Sequence, residues 1–444
     1  MKFKYTFVVI FSLICTYATS QNLGTSPYSK IGVGDILNPI TVQGLGMGGV
    51  SVSTYNQDYI HLMNPAASTN KKGHYADSLV KIEGAYTIQS KTMYAATTSD
   101  KVMGSNLRYI AMSFPLGKRW NTTLALQPFS MKLHSFTQTE PVANDPNGLN
   151  VKYNFEGKGG MYQIAFNNGW GISKSLSAGL GLAYLFGPST TTITSQLITD
   201  PTAEFQNETS FGISRKINHK SLAIKPGLHY RKQIQRAADT TKVFDGIFMN
   251  IGATVELFTT LNMSVEETLI RTSAINQTSN DTVINSFTQH GELPARFNFG
   301  FSFDRPHKWM AGLEGGFSNW KKGFRYIEEP GQQYQLGWNI GIGGEIRPNA
   351  KKQWRAWIYR IGARYEQLPY TVSGISISDI SGSVGVSIPV GVRGHGGASL
   401  PKINAAFVFG QRGTTQNNLI REVYMRVQLS ILITDKWFTR RKYN

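Results

Sequence analysis

The residues best placed to do chemistry are few. Gly44-Leu45-Gly46-Met47-Gly48-Gly49 fits the G-x-G-x-x-G pattern. A dinucleotide site also needs a preceding strand, a following helix and an acidic residue about 20 positions on. Asp58 comes too soon, and no strand-helix-strand pattern follows. The glycines therefore read as tightly turned backbone. The eight histidines are scattered, without H-x-x-x-H spacing or an adjoining acidic cluster, so no metal is expected. No G-x-S-x-G elbow is present. His134 beside Ser130 or Ser135 is the one pairing that hydrolysis could use, and His134 reads better as a loop-end residue. The single cysteine, Cys15, follows Ile14 instead of the small residue that lipid attachment requires. These observations predict no catalytic residue, no metal and no cofactor, hence not an enzyme.

The pattern around these residues is far more informative. From Ile247 to Val265 the odd positions are apolar or threonine, and the even ones are polar or small except Phe258. A period of two marks a strand with two unlike faces. Most globular strands are about 5–6 residues long, and a run this long fits a strand that tilts across a bilayer with apolar residues on lipid. The same alternation recurs in Tyr162–Ile172, Leu176–Phe186, Phe297–Phe303, Tyr334–Ile342 and Val423–Ile433. It predicts an all-β, transmembrane antiparallel barrel of about 14 strands, near 79–97, 104–116, 119–138, 151–172, 174–200, 205–234, 245–274, 295–304, 308–320, 333–347, 353–369, 380–392, 402–411 and 421–433. The span 205–234 is the weakest, and could be two strands. Thr137–Gly160 and Asn276–Glu292 read as long polar connections. Trp120, Trp309 and Trp320 read as interfacial girdle residues.

Two segments fall outside this pattern. Lys2 and Lys4, the apolar run Phe7–Ile14 and the small residues Ala18-Thr19-Ser20 read as a secretory signal peptide over 1–20. Residues 21–78 are rich in glycine, with little alternation, and suit a plug inside the barrel. The wall would occupy 79–433 and a basic periplasmic tail 434–444. The formal charge is +18, but it is dispersed, with cations in short turns (Lys118, Arg119, Lys174, Arg305, Lys308, Arg347, Lys351, Lys352, Lys402). That excludes a nucleic-acid stripe and suggests a rim meeting anionic headgroups. Lys436, Arg440, Arg441 and Lys442 form a candidate partner-docking tail.

One local irregularity stands out. Trp120, Leu124 and Leu126 hold the even face, whereas Phe129, Met131 and Leu133 hold the odd one. The slip occurs at Pro128, which has no amide hydrogen to give a ladder. A bulge or kink is predicted there, with Phe129 at its edge.

With Asn64-Pro65-Ala66 in the irregular segment, the Leu45–Val50 glycine stretch before it and a disrupted third strand, the chain resembles the FadL-like family of outer-membrane long-chain fatty-acid transporters. Ile388-Pro389, Phe409–Gly413 and Asp435–Phe438 resemble a sub-branch that includes accessory subunits of outer-membrane machines. The resemblance implies an N-terminal hatch, with Asn64, Pro65, Ala66, Gly46, Gly48 and Gly49 as its motif. It also implies a lateral opening at Pro128 and Phe129, and passive uptake of a hydrophobic ligand such as a fatty acid or detergent. The alternative is a non-transporting docking subunit of a secretion or barrel-assembly complex, with outer-membrane or periplasmic proteins as partners. Either role places the chain in the outer membrane of a Gram-negative bacterium, in contact with its lipid.

Overall fold

The computed structural model describes residues 26–56, 58–69, 79–96, 98–117, 119–142, 149–198, 210–235, 246–272, 279–327, 333–348, 357–390 and 401–437. Fourteen antiparallel wall strands close on themselves. They are β1 (Leu79–Tyr94), β2 (Ser99–Gly117), β3 (Trp120–Met131, continued by His134–Pro141), β4 (Asn150–Gly171), β5 (Leu176–Ile198), β6 (Ser210–Gln235) and β7 (Ile247–Phe258, continued by Leu261–Thr272). After these come β8 (Ser279–Gly291, continued by Arg296–Arg305), β9 (Trp309–Asn319), β10 (Gln333–Tyr334 and Leu336–Ile346), β11 (Ile358–Val372), β12 (Ile375–Pro389), β13 (Lys402–Arg412) and β14 (Arg421–Lys436). β14 pairs with β1 along its whole length, so the wall has no end strand there. Closure removes the row of unpaired backbone groups that lipid cannot satisfy.

Alternation sets the two faces. On β4, Ile164, Phe166 and Trp170 point outward and are exposed, while Gln163, Ala165 and Asn167 are buried in the lumen. On β14, Val423, Met425, Leu429 and Ile433 form the matching outer stripe.

β6 is one strand, as 205–234 was read. The structure departs from the sequence expectations in four places. β7 is not one uninterrupted run: its register against β6 slips by one residue at Thr259–Thr260. Below the slip, odd residues such as Leu257 face out. Above it, Leu261, Met263 and Val265 are fully buried in the lumen. A one-residue slip exchanges the two faces. The apolar pattern continues because the apolar surroundings change sides too, from lipid outside to a packed core inside. Residues 279–291 are strand, not connection, and pair residue by residue with upper β7. From Thr282 to Thr288 every side chain is exposed, so no apolar face betrayed the strand. Likewise β3 and β4 stay paired from His134 to Pro141, shortening the expected connection. Finally, Trp320 is no girdle residue. It sits in a helical turn, Trp320–Gly323, and is buried in the lumen against Phe324.

Candidate functional site: the plugged lumen and the break in the wall

Residues 26–56 and 58–69 run inside the barrel, and most of the described residues from Pro39 to Thr69 are buried. Their seat is a feature of the wall. On nine successive strands, β4 to β12, a lumen-facing glycine lies against them: Gly169, Gly179, Gly227, Gly252, Gly300, Gly312, Gly341, Gly362 and Gly385. A Cβ on Gly179 would stand 2.5 Å from the amide nitrogen of Ala66, and one on Gly362 2.1 Å from that of Gly48. No side chain fits there, so the plug backbone rests directly on the wall. Alternation alone does not reveal this seat. The available signal was one inward glycine on each of nine neighbouring strands, directly paired or offset by two residues.

The predicted hatch residues occupy this seat. Asn64 is fully buried, and its side chain accepts from the amide of Ala66 while donating to the carbonyls of Val52 and of Leu228 on β6. Pro65 starts the short helical turn that Asn64 caps, as its fixed φ suits. Gly48 has φ +65°, a conformation glycine adopts readily, and its amide donates to Ser383 of β12. Gly46 approaches Gly385, and Gly49 lies beside Arg364. The amides of Ser51 and Val52 donate to the buried carboxylate of Glu314 on β9. At the periplasmic end Asp58 meets Lys402 at 2.9 Å and Arg347 at 3.7 Å. Burial opposes the charge on Asp58, yet these cations hold its carboxyl well below the usual range. Lys402 is thus turned into the lumen, not spread on a solvated rim. Burial holds His61 neutral, with its pKa lowered to about 4, while its Nε2 faces the carbonyl of Asn56.

The wall is broken where the phase slip predicted trouble. β2 and β3 pair from Gly117 and Trp120 only as far as Ile110 and Leu126. Beyond that point β3 bends inward, and every residue from Gln127 to His134 is buried. Its register against β4 slips between Pro128 and Ser130. Phe129 points into the lumen and packs edge-on against Phe258. The break lies within the apolar belt. Met103 on β2 is level, through Ser90 of β1, with the lipid-facing Met425 of β14.

The plug takes the edge that β2 relinquishes. Asp35 and Ile36 pair with Met131 and Ser130, the amide of Leu37 donates to Phe129, and that of Ser26 donates to Leu133. From the other side Arg108 of β2, at a bulge, donates to the carbonyl of Asn38. Residues 35–38 therefore bridge the break.

Three cavities adjoin these parts. The outer one, about 620 Å³, is walled by apolar residues on the inner faces of the raised hairpins, including Ile193, Phe211, Ile213, Ile217 and Leu269, with Lys30 and Lys132 at its base. Below it Ile217 joins a packed apolar cluster with Phe129, Met161, Met263 and Phe324, which Ile36 of the plug completes. Behind the break lies a cavity of about 160 Å³ with a mixed apolar and charged lining. It contains Arg412 bridged to Asp35 and Asp379, and Lys91 bridged to Glu422. Beside it, burial and then Glu422 push the Tyr28 hydroxyl up to about 12. The third cavity opens at the periplasmic mouth.

The remaining sequence candidates are dispersed. The His134 ring packs over Gly157 and, among the described residues, neither nitrogen finds a partner. Ser130 Oγ instead hydrogen-bonds the amide of Met161, so no nucleophile-base pair forms there. Lys436 belongs to the wall, paired with Leu79, and not to a tail. β14 extends that far because β1 offers backbone partners down to Leu79. Arg440, Arg441 and Lys442 lie outside the described residues, as do Lys118, Lys351 and Lys352.

A family model described as BamG matches residues 2–444. The chain belongs to the BamG family. No curated protein matches the sequence. Among solved structures, this BamG-family chain is similar to a Pseudomonas aeruginosa FadL homologue, with TM-score 0.59 and 11% identity over 90% of this chain and 99% of that one. It is also similar to the Pseudomonas putida toluene transporter TodX, with TM-score 0.54 and 14% identity over 91% and 100% of the two chains. The Ralstonia pickettii toluene transporter TbuX matches with TM-score 0.53 and 14% identity over 88% and 97%. The BamG-family chain thus has the FadL-like outer-membrane barrel fold.

Proposed function

We propose that this protein passes small hydrophobic molecules passively from the outer surface into the membrane. They enter the outer pocket, follow the apolar cluster around Phe129 and leave sideways between β2 and β3. One observation carries this reading: β3 abandons β2 at Leu126 while β2 is still within the lipid-facing belt. The names of the similar structures, a FadL homologue and toluene transporters, support it. In this reading Asn64-Pro65-Ala66 and the plug glycines hold the hatch, Pro128 and Phe129 shape the exit, and no cofactor takes part. The division into leader 1–20, plug 21–78, a wall that runs from 79 to 436 in place of the expected 433, and a tail after it is part of the proposal, as is removal of the leader. The test is uptake of the fluorescent probe N-phenylnaphthylamine by cells expressing the protein. Pro128→Val should restore a ladder donor and slow uptake several-fold at equal surface expression. Equal rates would refute the lateral route.

Membership of the BamG family over nearly the whole chain favours a second reading, an accessory subunit of an outer-membrane machine. The charged cavity behind the break suits that role better than it suits an apolar passage. Stoichiometric partners retained in mild detergent, together with uptake no faster than in cells lacking the protein, would decide for it.

A further inference from the structure

We propose that the cavity behind the break binds a phosphate group between Arg108 and Arg426. Five cations line this cavity, Lys91, Arg108, Arg364, Arg412 and Arg426, against four carboxylates, Asp35, Glu366, Asp379 and Glu422. Three of the cations account for every carboxylate. Arg412 holds Asp35 and Asp379, Lys91 holds Glu422, and Arg364 holds Glu366. Arg108 and Arg426 are left with neutral partners among the described residues. Arg108 donates to the carbonyl of Asn38, while Arg426 donates to Gln89 Oε1 at 2.9 Å and packs over the ring of Tyr424. The two guanidinium groups are near enough to repel one another. Like charges held together in a recess, without a counter-charge, attract an anion.

The wall brings the donors together. Arg426 of β14 pairs with Gln89 of β1, and Gln89 pairs with Gly104 of β2, which adds no side chain to the inner face. Arg108 follows four residues later on β2, at the bulge beside Ala85. Arg426, Gln89 and Arg108 thus supply guanidinium and amide N–H groups from three neighbouring strands to one cavity. The pairing of β2 with β3 ends at Ile110, so this stretch of β2 adjoins the break. Charge selects the ligand. A phosphate monoester carries about −1.5 to −2 at pH 7 and has three acceptor oxygens, which matches both arginines, whereas a carboxylate matches one. Arginine forks also suit phosphate oxygens geometrically. The phosphate reaches the site either as a free ion or, through the break, as the headgroup of a membrane lipid, and the chemistry of recognition is the same. This site does not rest on either reading of the protein's function.

The test is isothermal titration of the full-length protein, in dodecyl maltoside and phosphate-free buffer, with inorganic phosphate and with acetate. Phosphate should bind at one site per chain, at least tenfold more tightly than acetate. Arg426→Gln should weaken phosphate binding at least tenfold, and Arg426→Lys, which keeps the charge but not the fork, should fall between the two. Heat-modifiable migration in gels will show that each variant folds. Lys216→Gln, the same loss of charge at an exposed residue of upper β6, should leave affinity unchanged. Phosphatidic acid in the micelles distinguishes the sources. If it displaces inorganic phosphate, the site takes a lipid headgroup; if it does not, the site takes the free ion. Absence of saturable phosphate binding overturns the proposal, as do equal affinities for phosphate and acetate, or an Arg426→Gln variant that binds phosphate unchanged. An equal loss in Lys216→Gln also overturns it, since attraction would then follow net charge alone.

Discussion

The glycine seat makes a quantitative prediction about how the plug is held. A methyl group on Gly362 would lie 2.1 Å from the amide nitrogen of Gly48 and 2.2 Å from the carbonyl carbon of Met47. Both are backbone atoms, so no side chain can swing away. Gly385 is a milder case, with its nearest neighbour at 3.1 Å, and Gly382 on the same strand meets nothing within 4 Å. Overpacking of this kind costs roughly 1–3 kcal/mol. If the plug yields before the wall, the population of unseated plug rises about 5- to 150-fold in Gly362→Ala, since 1.4 kcal/mol is tenfold. Ser53→Cys supplies a reporter, because Ser53 is fully buried and its hydroxyl makes no hydrogen bond among the described residues. Background is low, since Cys15 is the only native cysteine and lies in the predicted leader. The rate of alkylation by a maleimide-polyethylene glycol reports the opened fraction when closing is fast. The expected order is Gly362→Ala fastest, Gly385→Ala intermediate and Gly382→Ala unchanged. Labelling that ignores this order in variants that keep heat-modifiable migration would refute direct seating of the plug on the wall.

Three further outcomes follow from the same contacts. Asn64→Leu removes three buried hydrogen bonds and should destabilise the plug by about 2 kcal/mol or more, read as faster alkylation at Ser53→Cys while the barrel stays folded. His61 has a pKa of about 4 against the ordinary 6.5. The unfolded segment therefore takes up a proton below pH 6.5 that the seated plug refuses until about pH 4. Plug stability should be full above pH 6.5, decline between pH 6.5 and 4 by about 3 kcal/mol at most, and lose this dependence in His61→Gln. Arg108→Ala cuts the bond that ties Asn38 to β2, and N-phenylnaphthylamine uptake should rise several-fold if residues 35–38 obstruct the exit.

The barrel was legible because lipid imposes one rule on every strand that crosses it. That rule fails where the surroundings change. On upper β7 the apolar environment moves from outside to inside, and the slip at Thr259–Thr260 moves with it, so the letters show one unbroken alternation. On the first half of β8 both faces are wet, leaving no contrast to read. Pro128 was legible for the opposite reason, since the phase slips there without a compensating change in composition. Trp320 misled because a tryptophan at a strand end suits a membrane interface and a lumen cap equally well. The plug seat was hidden in plain composition: each glycine alone reads as a small inward residue, and only the folded wall brings nine of them against the plug.

That seat also bears on the route a ligand can take. Where the plug backbone rests on the wall from β4 to β12, the cavity within the plug itself is only about 10 Å³. Straight passage would require the plug to leave a seat made of backbone contacts, the Asn64 bonds and the Glu314 clamp together. Displacing residues 35–38 at the break is a smaller event. They hold a two-residue ladder on β3, the Leu37 bond, the Arg108 bond and the Asp35–Arg412 ion pair, and none of the nine seat glycines has a plug residue from 35–38 among its nearest contacts. The two parts of the plug thus have separable attachments. A molecule in the outer pocket meets the part at the break first. If the plug worked as one rigid stopper, Arg108→Ala would speed labelling at Ser53→Cys as much as uptake, whereas separable attachments require uptake to change alone.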